Sequence, residues 1–375
     1  MGFIKKLSLT ALVFLIVILG LVAVQNIIGN YNYSQSSSLT SQSAESVVYI
    51  QNGVTGVVSI TDPFLNRTTN VNVIYYPLDT GSGFVVNSNG YIITALHVVG
   101  DLDSLNNQTL KTMDNNDVQR YIERAAVKGY VSEYNSELSY ELANNISGTS
   151  HHLDLNTTTD ILNQKNLLKV QSAQQLIKVN LPGTSSTSLN ATIVDVGNPR
   201  TDEDIALLKI STPVNNLPKL SVSSKKPGIF EGVHIYGYPG IDNAVNSNYE
   251  PSIVKPSSSS GLITSETFKN GTNSNTFDIS TVYENIAEWY NVILTPKTAT
   301  NSTLYYGTTA ATTDGYSGGP VVNSKNNVLG IIIFSIGSSD TLKQNLRLTS
   351  SLFLSSQNII QICKKNNITI KVVGS

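Results

Sequence analysis

Three short segments of this chain carry the residue types that acyl transfer requires. The first ends at His97, the second contains Asp204, and the third centres on Ser317 in the sequence Asp-Gly-Tyr-Ser-Gly-Gly. Acyl transfer needs a hydroxyl nucleophile, a neutral imidazole that takes its proton, and a carboxylate that fixes the imidazole tautomer. We therefore predict Ser317 as the nucleophile, His97 as the general base and Asp204 as the residue that orients the base.

Local sequence indicates how each of these residues is positioned. Glycines on both sides of Ser317 allow successive N–H groups, from Gly315 through Ser317, to point into one concavity that could hold an oxyanion. His97 follows an apolar strand, and Asp204 opens another. Taken singly, the three segments are also typical of a turn, a strand residue and a strand end. Their occurrence together, in the order His, Asp, Ser, favours the catalytic interpretation.

Most of the chain has the pattern of short strands separated by turn residues. Residues 101–188 depart from this pattern, because their apolar residues recur at helical spacing. Gly129 could split this helical pattern into two helices. A second, weaker helical pattern covers 167–177, and a final helix is predicted from Ser355 or Ser356 to Lys365. The strand segments are 47–51, 54–60, 71–76, 83–86, 91–94, 191–196, 205–210, 233–238, 261–268, 304–306, 321–322 and 328–334.

Together, these motifs resemble the trypsin-like serine proteases, with a spelling most similar to the HtrA (DegP-like) branch. The matching features are Gly-Ser-Gly-Phe from Gly81, the Gly-Tyr-Ile hairpin from Gly90, and the segments around the three candidate residues. The resemblance covers about 46–101 and 191–365. It implies two six-stranded antiparallel barrels with the active site in the cleft between them.

Carried over residue by residue, the resemblance gives His97, Asp204 and Ser317 as the triad and the amides of Gly315 and Ser317 as the oxyanion hole. It places Ala311 at the base of the S1 pocket, which argues for aliphatic or aromatic P1 residues. Two residues depart from the usual spelling: Leu96 replaces a small residue and Tyr316 replaces Asn or Asp. The separation of 107 residues between His97 and Asp204 is also unusually long, and no PDZ domain is expected.

The amino-terminal segment predicts a membrane anchor. An apolar run from Leu7 to Val24 follows Lys5 and Lys6, and it is close to the roughly 20 residues that span a bilayer as a helix. We expect a cytoplasmic tip and anchor at 1–28 and a flexible stalk at 29–45, with the rest outside the cytoplasm. A cleaved signal peptide is the alternative. Glycosylation sequons are scattered beyond the anchor, at Asn32, Asn66, Asn107, Asn145, Asn156, Asn190, Asn270, Asn301 and Asn367.

Composition excludes other classes of function. The net charge is -2 with 13% charged residues, so the chain lacks the basic surface that nucleic-acid binding requires. A metal site at His151, His152 and Asp154 is disfavoured, because no cysteine or third histidine lies nearby. We expect no metal and no cofactor.

The sequence thus predicts a mainly β protein with a helical insertion and an N-terminal transmembrane helix. A first barrel is expected at 46–215, with the insertion at about 101–188, and a second barrel with a C-terminal helix at 216–375. The predicted function is a membrane-anchored, extracytoplasmic serine endopeptidase that acts on proteins or peptides, in protein quality control. The alternative is a catalytically silent surface protein that acts as a chaperone or binding module. Self-association through the insertion is a further hypothesis.

Overall fold

The fold is described from a computed structural model. The predicted anchor at 1–28 and residues 29–42 of the predicted stalk lie outside the described residues. Among the helices of the described ranges, none combines the length and apolarity needed to cross a membrane. The described residues are 43–102, 110–147, 152–182, 188–198, 203–239, 256–270, 302–335 and 351–374.

Six antiparallel strands close the first barrel. They are β1 (Val47–Asp62), β2 (Arg67–Asn87), β3 (Tyr91–Thr94), β6 (Leu168–Asn180), β7 (Leu189–Val196) and β8 (Ala206–Ile210). Their order around the barrel is β1-β2-β3-β8-β7-β6. A small two-stranded ribbon, β4 (Asp101–Leu102) and β5 (Leu110–Lys111), stands apart from it.

Six further antiparallel strands form the second barrel. They are β10 (Gly232–Gly237), β11 (Ser257–Asn270), β12 (Ser302–Thr308), β13 (Pro320–Asn323), β14 (Asn327–Ser335) and β15 (Ser351–Ser355). Their order is β13-β10-β11-β12-β15-β14, and pairing of β13 with β14 closes the ring. Two short strands, β9 (Ser221–Ser223) and β16 (Val372–Val373), add to it in parallel. The two barrels confirm the architecture that the resemblance implied.

β1 unites two predicted strands, 47–51 and 54–60, in one continuous element. Its pairing with β2 shifts register between Asn52 and Gly53 and again between Val54 and Gly56. Side chains would not fit at either glycine, because a Cβ would lie 2.5 Å from the Tyr76 carbonyl at Gly53 and 2.1 Å from the Ser172 carbonyl at Gly56. Gly53, which separated the two predicted strands, and Gly56, which lay within the second, therefore allow a long strand to bend between two partners.

A short helix, α1 (Leu96–Val99), follows β3. The other helices between the strands of the first barrel lie within 115–164. They are α2 (Asn115–Glu133), α3 (Leu138–Leu142), a π-helical turn (Ala143–Ser147) and α4 (Leu155–Gln164). The side chain of Asp114 caps α2 through the amides of Asn116 and Asp117. α2 continues unbroken through Gly129, so the predicted split does not occur.

The predicted helix over 167–177 is wrong, because this segment is part of β6. Residues 168–180 pair with β1 along almost its whole length. The apolar residues Leu168, Ile177 and Val179 face the buried side of that pair. Short apolar patterns fit helix and strand equally well, and tertiary pairing decides between them.

A buried carboxylate fastens the helical layer to the barrel. Asp62, at the end of β1, is fully buried and accepts hydrogen bonds from Tyr130 Oη at 3.0 Å and Asn135 Nδ2 at 2.8 Å. The backbone amides of Phe64 and Leu65 donate to its other oxygen. Apolar residues of α2 pack beside this network against the strands, so the helices and β1 share one core.

Aromatic packing joins the two barrels between the start of β1 and the end of β10. The rings of Tyr49 in β1 and Tyr238 after β10 lie 5.6 Å apart, and Tyr238 Oη donates to the Val47 carbonyl at 3.2 Å. The last helix of the described residues is α5 (Ser356–Lys365), which is capped by Ser355, one of the two predicted starts. Ile359 and Cys363 of this helix are fully buried.

Candidate active site

His97 lies on α1, directly after β3. Its neighbours Leu96, Val98 and Val99 are fully buried in the first barrel, whereas about a fifth of the His97 side chain, 22%, is exposed. The short helix is thus fixed by its apolar side chains and presents the imidazole at the barrel surface. Leu96, which departs from the family spelling, belongs to this apolar core.

Pairing of β3 with β8 brings Asp204 to His97 across 107 residues of sequence. Thr94 and Ala206 are register partners, so the residues that flank this pair are neighbours. His97 Nδ1 donates to Asp204 Oδ2 at 2.6 Å, and the His97 backbone N–H donates to Asp204 Oδ1 at 3.0 Å. Since Nδ1 carries the proton, Nε2 of the neutral ring is the atom free to accept one.

The electrostatic surroundings of His97 raise its pKa above the ordinary value. Burial acts most strongly and by itself would lower the pKa, but the charge of Asp204, its hydrogen bond and the charge of Asp79 together outweigh burial. Because its pKa is raised, the ring becomes neutral, and so able to accept a proton, at a higher pH than an ordinary histidine.

The loop that joins β12 to β13, residues 309–319, carries Ser317 and is called the Ser317 loop. It meets α1 at Gly81 of β2. A Cβ at Gly81 would lie 2.6 Å from Val98 Cγ2 and 3.0 Å from the Ser317 carbonyl oxygen, so only glycine lets both segments approach this closely. The Ser317 carbonyl accepts a hydrogen bond from the Ser82 amide at 2.8 Å. This contact brings the candidate nucleophile to the same edge of the first barrel as His97 and Asp204.

Within the described residues, no hydrogen bond joins the Ser317 hydroxyl to the His97 ring. The Ser317 side chain is half-buried and bordered by two buried glycines, Gly315 and Gly318. Both glycines have positive φ, +89° and +83°, which the tight loop requires. Contacts between nucleophile and base are often long in the absence of substrate and tighten when substrate binds.

The candidate oxyanion amides are those of Gly315 and Ser317. Within the described part of the chain, neither N–H donates a hydrogen bond to a protein acceptor, whereas the intervening Tyr316 N–H donates to the Thr313 carbonyl at 3.2 Å. Two unpaired amides that flank a paired one are suited to share an acceptor supplied by a substrate.

Tyr316, the second departure from the family spelling, points into the second barrel. Its side chain is 6% exposed, and its hydroxyl hydrogen-bonds with Ser257 Oγ at the start of β11. Gly237 makes room for the ring, because a Cβ there would lie 2.8 Å from Tyr316 Cδ1. Tyr316 therefore anchors the loop in the core of the second barrel.

Ala311, the predicted S1 residue, is exposed and lies beside a pair of hydroxyls. Ser351 Oγ donates to the Ala310 carbonyl at 2.7 Å and accepts from Thr312 Oγ1 at 2.7 Å. The structure thus places neutral polar groups next to Ala311, a feature that the sequence argument did not anticipate.

Sequence reasoning also assigned no role to Ser82 and Asp79. Both residues lie on β2, before His97 in the chain. Ser82 contacts the Ser317 loop directly, and Asp79 contributes negative charge at the His97 ring. The glycines on both sides of Ser82 were the available signal, because adjacent glycines mark a close backbone approach.

The other chemically notable residues have structural contacts. The His152 ring packs on Tyr140 at 5.4 Å, and Asp154 caps α4 through the Thr157 amide. His151 lies outside the described residues. His234 hydrogen-bonds with Ser260 on the paired strand, and burial raises the pKa of the Cys363 thiol to about 12.

Comparison with known proteins agrees with this geometry. Residues 149–331 match the family model of the trypsin-like peptidase domain. The matched range includes Asp204 and Ser317 and begins after His97. A search of curated proteins finds no match to the chain.

Proposed function

Because the chain belongs to the trypsin-like peptidases, we propose that it is a serine endopeptidase with His97, Asp204 and Ser317 as its catalytic triad. The observation that carries the proposal is the double hydrogen bond from His97 to Asp204 beside the Ser317 loop. A structural histidine does not need a fixed tautomer that leaves Nε2 free to accept a proton.

The proposed reaction begins with the Ser317 hydroxyl. Its oxygen attacks the carbonyl carbon of the scissile peptide bond while His97 Nε2 takes its proton. Asp204 keeps the proton of Nδ1 in place and stabilises the imidazolium that forms. The carbonyl oxygen becomes an oxyanion, which accepts hydrogen bonds from the amides of Gly315 and Ser317.

Collapse of this intermediate breaks the C–N bond. The imidazolium donates its proton to the departing amine, and the acyl group remains on Ser317. A water molecule then attacks the acyl-enzyme while His97 Nε2 takes one of its protons. The imidazolium returns that proton to Ser317 Oγ as the ester C–O bond breaks and the acid product leaves. His97 thus carries the proton in both halves of the reaction.

Substrates are proposed to carry an uncharged P1 residue. Ala311 provides no charge, and the nearby Thr312 and Ser351 contribute hydroxyls only. A Lys or Arg side chain would therefore find no carboxylate among these three residues.

The location and biological role are proposed from the sequence. The apolar run behind Lys5 and Lys6 supports an N-terminal anchor with the barrels outside the cytoplasm. The amino-acid sequences of the motifs, which resemble those of the HtrA branch, support a role in removing unfolded proteins. Protease treatment of intact cells tests the topology, because external barrels are degraded and cytoplasmic ones survive.

Peptidase activity is tested with the purified full-length chain and an unfolded reporter protein. Wild type should cleave the reporter, and Ser317→Ala should not. Ser324→Ala, in the exposed turn after β13, is the matched control and should cleave as wild type does. If wild type and Ser317→Ala leave the reporter equally intact, the alternative of a silent binding module replaces the proposal.

A further inference from the structure

Ser82 is a fully buried residue whose three polar groups each have a partner outside β2. Its amide donates to the Ser317 carbonyl at 2.8 Å, and its hydroxyl donates to the Gly315 carbonyl at 2.6 Å. The same hydroxyl accepts from the Tyr238 amide at 2.9 Å, and the Ser82 carbonyl accepts from Thr94 Oγ1 at 2.7 Å. One residue of the first barrel thus contacts β3 and two segments of the second barrel.

The bonds from Ser82 hold alternate peptide groups of the Ser317 loop. The Gly315–Tyr316 peptide is fixed at its oxygen by Ser82 Oγ and at its nitrogen by the Thr313 carbonyl. The Ser317–Gly318 peptide is fixed at its oxygen by the Ser82 amide and at its nitrogen by the Ile332 carbonyl, at 2.7 Å. Ser82 therefore supplies one of the two constraints on each peptide.

Between these two peptides, the Tyr316 carbonyl accepts from the Gly319 amide at 2.9 Å. Among the backbone N–H and C=O groups from Gly315 N–H to Ser317 C=O, all within the described residues, only the N–H groups of Gly315 and Ser317 then have no hydrogen-bond partner in the protein. Fixing the neighbouring peptide planes also fixes the directions of these two N–H groups, because each amide is planar and shares a Cα with a held peptide.

Two glycines make the contacts with Ser82 possible. A Cβ at Gly318 would lie 2.2 Å from the Ser82 carbonyl oxygen, and a Cβ at Gly237 would lie 3.0 Å from Ser82 Oγ. Gly318 in the loop and Gly237 at the end of β10 thus approach Ser82 closely because neither has a side chain. A hydroxyl in so closed a place costs free energy unless it is hydrogen-bonded, and here it both donates and accepts.

We propose that Ser82 is a positioning residue for catalysis, which holds the amides of Gly315 and Ser317 toward the oxyanion. This role rests on the proposed peptidase function. The oxyanion exists only in the transition state and the tetrahedral intermediate, so loss of the Ser82 hydroxyl should reduce kcat and leave substrate binding nearly unchanged.

The test uses Ser82→Ala in the full-length chain, with a peptide substrate and a peptidyl boronate. The boronate forms a tetrahedral adduct with a serine nucleophile and so mimics the oxyanion. We expect kcat to fall on the order of tenfold or more, since loss of one oxyanion donor costs about 10²–10³ in kcat. KM should stay within about twofold, and boronate affinity should fall in parallel with kcat.

Ser356→Ala is the matched control. Ser356 is 1% exposed, and its hydroxyl donates to the Ser223 carbonyl at 2.8 Å. Among the described residues, this hydroxyl makes no hydrogen bond to the loop that carries Ser317. This variant loses a comparable buried hydrogen bond, so thermal unfolding should shift as for Ser82→Ala while kcat and boronate affinity remain those of wild type. If Ser82→Ala does not fold, Ser82→Cys fills the space with a weaker donor and serves in its place.

A pH profile separates this role from an effect on the base. Ser82 does not contact His97 or Asp204 in the hydrogen bonds that hold them, so the midpoint of kcat/KM against pH should be the same in Ser82→Ala and wild type. A shifted midpoint, or kcat and boronate affinity equal to those of Ser356→Ala, overturns the positioning role and leaves the peptidase function standing. A folded wild type that neither cleaves peptides nor binds boronate overturns both.

Discussion

Asp204 holds His97 at two points, the ring and the backbone. Its Oδ2 accepts from Nδ1 at 2.6 Å, and its Oδ1 accepts from the His97 N–H at 3.0 Å. The carboxylate therefore fixes both the imidazole and the first turn of the helix that carries it. An asparagine side chain in place of Asp204 has a similar shape, but only its oxygen can accept a hydrogen bond. It therefore cannot replace both contacts with His97.

Asp204→Asn should lower kcat/KM on the order of 10⁴-fold, because the amide NH₂ favours the wrong tautomer of His97. Steady-state kinetics with a peptide substrate measures this change. The neighbouring Glu203→Gln should keep activity within about twofold, since Glu203 accepts from the Asn198 amide and not from His97. A loss of less than tenfold for Asp204→Asn contradicts the orienting role.

The raised pKa of His97 sets the pH dependence. The neutral ring is the base, so kcat/KM should increase with pH through a midpoint above the ordinary 6.5. Asp79→Asn removes a negative charge that favours the protonated ring, so the midpoint should move to lower pH. Rate measurements across pH 5–9 test this. Asp160→Asn, at an exposed position of α4, should leave the midpoint unchanged.

Gly318 should not tolerate a side chain. Its φ is +83°, and a Cβ would meet the Ser82 carbonyl oxygen at 2.2 Å, so Gly318→Ala must displace the loop that carries Ser317. We expect loss of activity of at least about 100-fold, of the size that follows from misplaced oxyanion donors. Gly232→Ala, where a Cβ meets nothing within 4 Å, is the control. Equal activity of the two variants contradicts this description of the loop.

The buried carboxylate of Asp62 should stabilise the helical layer in a pH-dependent manner. Burial alone would raise its pKa, but hydrogen bonds from Asn135, the amides of Leu65 and Phe64, and Tyr130 hold it below the ordinary value. A lowered folded-state pKa contributes stability above the unfolded value of about 3.9, and this contribution is lost as pH falls through the folded value.

Asp62→Asn should therefore reduce the free energy of unfolding at pH 7 by about 1–3 kcal/mol, since buried donors lose their charged acceptor. Urea unfolding at pH 7 and at pH 3 measures this, and the difference between variant and wild type should shrink at pH 3. Asp160→Asn is again the control. A difference that persists undiminished at pH 3 contradicts the assigned role of the charge.

The sequence motifs predicted that the segments of His97, Asp204 and Ser317 lie together, because the chemistry of each motif constrains its residue types. The connections around these segments were not predicted. β6 was mistaken for a helix because its strand character comes from pairing with β1, which lies more than a hundred residues earlier. The contacts of Ser82 were likewise invisible, since they depend on a loop more than two hundred residues later in the chain.

The most direct test of the account is reaction of the full-length chain with a fluorophosphonate, followed by mass spectrometry of its peptides. Such probes require a serine activated by a neighbouring base. The account predicts a single adduct on Ser317 in wild type, formed faster as pH rises, and none in Ser317→Ala or His97→Ala. Folded wild type without an adduct on Ser317 at any pH from 5 to 9 would contradict it.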